Sequence, residues 1–281
     1  MIQYCTQKLL NIGTPYFSGK NEGGLRSKGW YKKNVNGMPL ISIITVVKND
    51  DKNIEKTILS VITQKYENIE YIIIDGESID GTIDVIKKYE NAINYWISEK
   101  DNGIYDAMNK AIALIHGKGH LFLNSGDYFV GDVIVSPPKS YPTFYKVKYV
   151  NNFGKLCDIK IKDYRMQLPN CHQGILFESK GIKYNTKYKI SADLEYYYLH
   201  GYNNRHERSM SSGYIFFDNN GINSKNRKIR DFEISLIILK YHGVLRCLKF
   251  CIYAIAKDLI IILANIYKKY NKTDRIFKLL K

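Results

Sequence analysis

Two short apolar runs, each ending in an acidic or small-polar turn, constrain this chain more than any other feature. Tyr71-Ile72-Ile73-Ile74 leads into Asp75-Gly76-Glu77-Ser78-Ile79-Asp80-Gly81-Thr82, and Leu121-Phe122-Leu123 leads into Asn124-Ser125-Gly126-Asp127. Between them lies Ser98 to Lys110, which carries Asp101, Gly103, Asp106 and Asn109. Apolar runs without polar alternation are strands covered on both faces, as parallel sheets are. In an open α/β sheet, ligands bind in the crevice beyond the carboxyl ends of such strands. Carboxylates at that edge, in a chain of net charge +15, point to a held metal ion and a phosphorylated ligand.

The pattern around these runs is regular. Leu40 to Val47 is a β-branched run bounded by Pro39 and by Asn49-Asp50, and reads as the first buried strand. Ile54, Ile58, Val61 and Ile62 share one face of a helix over Ile54–Gln64. Asp80 can cap the next helix, with Val85, Ile86 and Tyr89 turned inward. Ile93–Ile97 reads as a third strand, Tyr105–Ile115 as a third helix and His120–Leu123 as a fourth strand. Strand and helix in alternation mean βαβ units and a mostly parallel sheet. After Asp127 the rhythm breaks at Ser136-Pro137-Pro138 and Tyr141-Pro142. Further strands are expected at Phe144–Val150, Gly174–Phe177 and Tyr214–Phe217, and a helix at Ser191–His200 with Ser191 as its cap.

The two ends differ from the middle. Residues 1–38 show no sustained periodicity, and Gly23 to Gly29 reads as a loop, either a flexible leader or a basic flap over an anionic ligand. Residues 226–281 form an apolar, basic tail. Lys240, Arg246, Lys249, Lys257 and Asp258 interrupt Glu233–Tyr267, so no uncharged stretch reaches the roughly 18–20 residues a bilayer span needs. Tyr267-Lys268-Lys269-Tyr270, Lys272, Arg275, Lys278 and Lys281 follow. Apolar helices with cationic, aromatic margins suit a segment lying in an anionic membrane interface. A helical pair packed on protein is the alternative. The division is therefore an N-terminal extension over 1–38, a catalytic domain over 39–225 and an amphipathic tail over 226–281.

Composition excludes other classes. The five cysteines, Cys5, Cys157, Cys171, Cys247 and Cys251, include no C-x-x-C pair. That argues against a disulfide framework or a zinc site and for a reducing compartment. No basic–apolar–small leader opens the sequence, so a cytoplasmic catalytic part is expected. The positive charge alone would suit nucleic acid, but no recognition motif accompanies it and the charge gathers in the apolar tail. No G-x-x-x-x-G-K-[ST] phosphate loop is present.

The residues themselves suggest a chemistry. Asp127, in a glycine turn past a buried strand, can approach a divalent cation, which prefers one or two carboxylates plus substrate phosphates. Alone it would equally satisfy turn N–H groups; Asp75 at the end of a second strand favours a site. Asp75 could accept a hydrogen bond from a base or ribose, while Asp80 and Thr82 read as structural. Asp193 stands near a helix start, where its anion is stabilised, and suits a general base. Glu195 is the competing candidate; two residues on, it points to a different helix face, so the two are not expected to serve one site. His172 and Gln173 precede an apolar run, and a lone His is more often structural. Tyr196-Tyr197-Tyr198 reads as packing rather than a stacking platform.

Together these segments resemble the family 2 inverting glycosyltransferases of the GT-A fold, in the branch that builds bacterial exopolysaccharide and O-antigen repeat units, including the colanic acid type. The matching segments are Pro39 to Asn49, Asp75 to Thr82, Ser98 to Ala111, Leu123 to Asp127, Cys171-His172-Gln173, Ile190 to Glu195 and Asn220-Gly221-Ile222-Asn223-Ser224. The resemblance implies a Rossmann-like, mostly parallel sheet flanked by helices. It implies that Thr45, Val47 and Asp75 border the nucleotide, with Asp101, Gly103, Asn109 and Ser125 on the donor side. Asp127 would bind Mn2+ or Mg2+ as the last acid of a D-x-D motif, Asp193 would be the general base, and His172 and Gln173 would lie near the acceptor. The implied partners are a nucleotide-sugar, with UDP favoured, a polyprenyl-diphosphate-linked saccharide and the cytoplasmic face of the bacterial inner membrane.

The sequence also departs from that pattern. Ser125 stands where the first acid of D-x-D would be, a form this branch uses, and Gly76-Glu77 replaces the commoner Asp-Gly. Two other readings were weighed. A sugar nucleotidyltransferase would need a glycine-rich basic loop after the first strand, where Val47-Lys48-Asn49-Asp50-Asp51 is acidic and lacks glycine. A noncatalytic membrane module would not need both Asp127 and Asp193.

Overall fold

The computed structural model describes residues 6–8, 21–151, 153–159, 168, 170–201, 207–218 and 226–259. They fall into two units, 1–225 and 226–281. The Asn220–Ser224 segment and the basic tail from Tyr267 lie outside the described residues.

The first unit opens with β1 (Thr6–Lys8), β2 (Glu22–Gly23) and β3 (Trp30–Lys32), of which β1 and β3 pair together. The alternating part runs β4 (Ile41–Val47), α1 (Ile54–Ile62), β5 (Ile69–Asp75), α2 (Thr82–Lys88), β6 (Tyr95–Ser98), α3 (Ile104–Ile112) and β7 (Gly119–Phe122). There follow β8 (Tyr128–Val130), β9 (Thr143–Phe144), β10 (Val147–Val150), β11 (Leu156–Asp158), β12 (Ile175–Glu178), α4 (Ala192–Leu199), β13 (Glu207–Arg208) and β14 (Tyr214–Phe216). The central sheet has the order β13-β9-β12-β7-β4-β5-β6-β2, and a second sheet the order β11-β10-β14-β8.

The strands β6, β5, β4 and β7 are mutually parallel. Every residue of β4 and β5 is buried, because successive side chains enter two different cores. Ile41, Ile43 and Val47 pack with Ile54, Ile58, Val61 and Ile86 on one face. Ile44 and Val46 pack with Ala107, Met108, Ala111 and Ile112 of α3 on the other. A run that is apolar at every position is what such a two-sided strand needs.

Three expectations are corrected. Phe144–Val150 is not one strand. Tyr145-Lys146 carries the chain out of β9 in the central sheet into β10 of the second, with Tyr145 N bonded to Gly174 O and Ile215 N to Lys146 O. Next, residues 21–38 are neither leader nor flap: β2 lies antiparallel on the edge of β6, and Arg26 enters the interior. Its guanidinium donates to Leu114 O at 2.7 Å and to the Glu70 carboxylate. Glu70 also accepts from Ser42 Oγ at 2.5 Å and His116 N at 3.0 Å. Finally, Ser191 sits at the start of α4 but makes no side-chain capping bond. For Glu70, burial raises the pKa, but donors from His116, Arg26 and Ser42 outweigh it and hold the carboxyl down at about 2.

The second unit is a helical hairpin, α5 (Arg227–His242) and a helix over 244–259, here α6, with the chain turning at Gly243 (φ 80°). Arg227 reaches Asp258 at 2.8 Å, and Cys247 Sγ approaches Ser235 O at 3.4 Å. Phe232, Leu245, Leu248, Ile252, Ile255 and Leu259 are all exposed. No helix among the described residues is long and apolar enough to cross a membrane.

Candidate functional site

The chain leaves β4 toward β5 and β6 and returns to lay β7 on the other side of β4. The reversal puts the switch point between β4 and β7, where the loops after the two strands diverge and leave a crevice. The β4–β7 ladder continues past the strand ends through Leu123 N to Ile44 O and Ser125 N to Val46 O. Beyond it, Ser125 Oγ donates to Asp50 Oδ2 at 2.5 Å. Asp50 Oδ1 accepts from Asn53 Nδ2 at 2.6 Å. The chain then turns at Gly126, whose φ of 91° is a left-handed conformation that suits glycine.

Helix α1 fixes this turn with a polar stripe beside its apolar one. Thr57 Oγ1 donates to Asp127 O at 2.7 Å and accepts from Gly126 N at 3.2 Å. Ser60 Oγ accepts from Phe129 N, and just past the helix end Gln64 Oε1 accepts from Val133 N. Asp127 is thereby held with only 3% of its surface exposed. Its Oδ1 accepts from Asp218 N at 2.9 Å. Burial raises its carboxyl to about 8, with bonds from Asp218 N and Gln173 opposing and the Asp218 charge adding to the rise. Asp127 is thus a buried carboxyl short of positive charge.

The base candidate lies at the other end of a short turn. His172–Gly174 forms one turn of 3-10 helix ahead of β12. The Gln173 side chain lies close enough to Asp127 to oppose the rise of its carboxyl, and His172 Nδ1 stands 3.8 Å from Asp193 Oδ2. Burial lowers the imidazole to about 4, so it is neutral at physiological pH; its Nε2 is buried with no hydrogen-bond partner. Asp193 lies in the first turn of α4, and its Oδ1 accepts from Leu194 N at 2.9 Å. The Cys171 thiol donates to Gln173; burial pushes it up, and Asp127 and Asp193 push it further. One four-residue turn therefore contacts both acids. Glu195 is buried, and Tyr196 packs flat on Tyr184 at 4.0 Å.

On the β5 side, Asp75 is fully buried and accepts from Ser78 N, Ser78 Oγ and Ser98 Oγ. It shapes the turn after β5 and ties it to β6. Asn49 (φ 52°) and Glu77 (φ 61°) are left-handed in adjoining loops. The loops are cross-linked by Asn49 N to Ser78 Oγ at 2.7 Å and Ile79 N to Asn49 Oδ1 at 2.9 Å. Asp80 accepts from Thr82 N and Thr82 Oγ1 at the head of α2. Asp101 Oδ1 accepts from Gly103 N, and its Oδ2 fills the space a Cβ on Gly76 would take, 2.2 Å away. Val47 ends β4 beside Asp75.

Two residues implied for the donor side are bonded within the fold. Thr45 is fully buried, its hydroxyl donating to Leu123 O at 2.7 Å and meeting Tyr71 Oη at 2.9 Å. It bonds β4 to its neighbours. Asn109 grips the backbone of Tyr184, donating to its O at 2.9 Å and accepting from its N at 2.7 Å.

The donor set at the switch point suits a hard cation. It consists of oxygens: Asp127, Ser125 Oγ with Asp50 behind it, and a buried Asn124 Oδ1 with no hydrogen-bond partner. Among the described residues no three His, Cys, Asp or Glu side chains form a complete cage. Oxygen donors are what a magnesium-type ion takes, with phosphate oxygens and water completing its shell.

Residues 42–134 match the sequence profile of Glycosyl transferase family 2. An uncharacterized glycosyltransferase of Mycobacterium tuberculosis is 43% identical over 101 residues, 35% of this chain and 38% of that protein. The Escherichia coli enzyme UDP-Glc:alpha-D-GlcNAc-diphosphoundecaprenol beta-1,3-glucosyltransferase WfaP is 38% identical over 96 residues, 33% of this chain and 38% of WfaP. The chain thus spans well under half the length of these curated relatives. Among solved structures, residues 1–349 of Staphylococcus aureus TarS with UDP superpose with a TM-score of 0.52 at 18% identity, over 71% of this chain and 65% of that one. That likeness shows the fold, which is GT-A.

Proposed function

We propose that this chain, which carries a family 2 glycosyltransferase domain, is an inverting enzyme. It moves a sugar from a nucleotide-sugar, UDP-linked, to a saccharide on a polyprenyl diphosphate during assembly of a bacterial surface polysaccharide. One observation carries the reading: the turn Cys171–Gly174 contacts a buried carboxyl at the sheet's switch point through Gln173 and a helix-start carboxylate through His172. A cation-binding acid and a base are what an in-line displacement at a glycosyl phosphate requires.

In this reading Asp193 accepts the proton of the acceptor hydroxyl as that oxygen attacks the anomeric carbon. The α-linked donor gives a β-linked product. Neutral His172 keeps charge away from Asp193 and borders the acceptor with Gln173. Asp127, with Ser125, would hold Mn2+ or Mg2+, which when bound neutralises charge on the leaving diphosphate. Val47, Asp75, Asp101 and Gly103 frame the nucleoside, the buried Asp75 acting through the turn it shapes. The UDP-sugar and diphosphoundecaprenol in the name of WfaP support the donor and acceptor classes. The exposed apolar faces of α5 and α6 support a peripheral place on the cytoplasmic face of the inner membrane.

A donor screen tests the whole. Purified protein with Mn2+ or Mg2+ is offered UDP-, GDP- and dTDP-sugars with lipid-diphosphate acceptors, and nucleotide release is followed. Acceptor-dependent release of one nucleoside diphosphate, lost in Asp127→Ala, is expected. No release and no nucleotide binding across the panel would leave a noncatalytic membrane module.

A further inference from the structure

Ser125 leaves the second carboxylate of the cation site unaccounted for. The loop after β4 brings one to it. Asp50 Oδ2 lies 2.5 Å from Ser125 Oγ, across the switch point between β4 and β7. We propose that Asp50 supplies the charge Ser125 lacks, acting through the Ser125 hydroxyl as the second acidic group of the cation and diphosphate site; the inference rests on the cation role given to Asp127 above.

Three observations lead here. The hydroxyl proton of Ser125 is committed to Asp50, so the oxygen's remaining lone pairs are free to accept. A hydroxyl backed by a carboxylate is a better cation ligand than a hydroxyl alone, as outer-shell carboxylates are for other ligands. Asp50 is also held in place independently of any ligand. Its N–H donates to Thr82 Oγ1 at 2.9 Å, its Oδ1 takes Asn53 Nδ2, and its carbonyl accepts from Asn53 N and Ile54 N at the start of α1. Finally, Asp127 is buried and the buried Asn124 Oδ1 has no hydrogen-bond partner, oxygens beside Ser125 that a bound cation would satisfy.

The role makes Asp50 a positioning residue with a charge, and its test must move the charge without moving the fold. Mn2+ binding to the full chain in the presence of UDP is measured from the free-Mn2+ electron paramagnetic resonance signal. Asp50→Asn, which keeps shape and an acceptor for Ser125, should weaken Mn2+ about 10- to 100-fold. The double variant Asp50→Asn with Ser125→Asp, which returns the charge one side chain away, should recover most of that loss. Wild-type affinity in Asp50→Asn, alongside loss in Asp127→Asn, overturns the proposal and leaves the Asp127 site standing. A loss in Asp50→Asn that Ser125→Asp does not restore also overturns it. Undiminished Mn2+ binding in Asp127→Asn would instead overturn the underlying site. Ser125→Asp alone guards against a misfolded Asp50→Asn. It sets carboxylate against carboxylate, so the metal-free melting temperature should fall and Mn2+ should raise it more than in wild type. An unchanged response would refute the charge on Asp50.

Discussion

Asp127→Asn should make the metal-free protein more stable, and increasingly so as pH rises. Asp127 ionises at an ordinary 3.8 when unfolded and at about 8 when folded, chiefly because burial disfavours the anion. Between those values the folded chain holds a proton that the unfolded chain has lost. The unfolded state then binds fewer protons, so stability falls as pH climbs from about 4 to about 8. At about 1.36 kcal/mol for each pH unit the gap sets a ceiling of roughly 6 kcal/mol. Relaxation and water entry, captured by an effective dielectric near ~20, bring this to roughly 1–3 kcal/mol. For a unit of this size that is a gain of roughly 2–10 °C in melting temperature. The Asn side chain keeps an oxygen for Asp218 N, so the variant removes charge and little else. Thermal melts from about pH 4 to 8.5 in chelator would show the two proteins closest at the acid end and separated at pH 8. Added Mn2+ should close the separation by stabilising wild type alone. Equal melting at pH 8, or a wild type that gains stability with pH relative to the variant, would refute the reasoning.

Asp193→Asn should bind UDP-sugar normally and turn over roughly 10²–10⁴-fold more slowly; near-normal turnover would remove Asp193 as the base. Arg26→Met removes the guanidinium from the buried Glu70 carboxylate, leaving it Ser42 and His116, and should cost about 3–5 kcal/mol in a denaturant melt. Glu70 is held below its usual value, so its contribution is present above pH 4.5 and is lost as pH falls toward about 2. Glu70→Gln should flatten that acid limb. Gly76→Ala drives a methyl into Asp101 Oδ2, and displacement on the order of 1 Å should lower kcat/KM by up to about 10²-fold. A calorimetric titration that finds UDP affinity unchanged would place Asp101 outside the donor site.

The alternating core of the fold was legible because β4, β5 and α1 declare themselves locally, through unbroken β-branched runs and a 3.6-residue apolar stripe. The run stopped short of Glu70 for the same reason: a charged residue reads as a strand boundary, and only partners far away in sequence, Arg26, Ser42 and His116, make its burial tolerable. The split of 143–150 was invisible because both halves are apolar and extended, and only their partners differ. Thr57, Ser60 and Gln64 are spaced as a helix face, so this polar stripe could have been found beside the apolar one. At the site, Asp127 and Asp193 were marked by their positions after a strand and at a helix start. Their link through Cys171–Gly174, and the pairing of Asp50 with Ser125, depend on loops meeting in space and leave no local trace.

The N-terminal arm has a consequence for any attempt to isolate the domain. A fragment begun at Pro39, where the strand pattern starts, loses β2 and uncovers the outer rim of β6. Unpaired N–H and C=O groups on a sheet rim recruit other chains. Such a fragment would self-associate through β6 before the proposed transferase activity could be assayed. The shortest soluble form must include the segment that least resembles a strand.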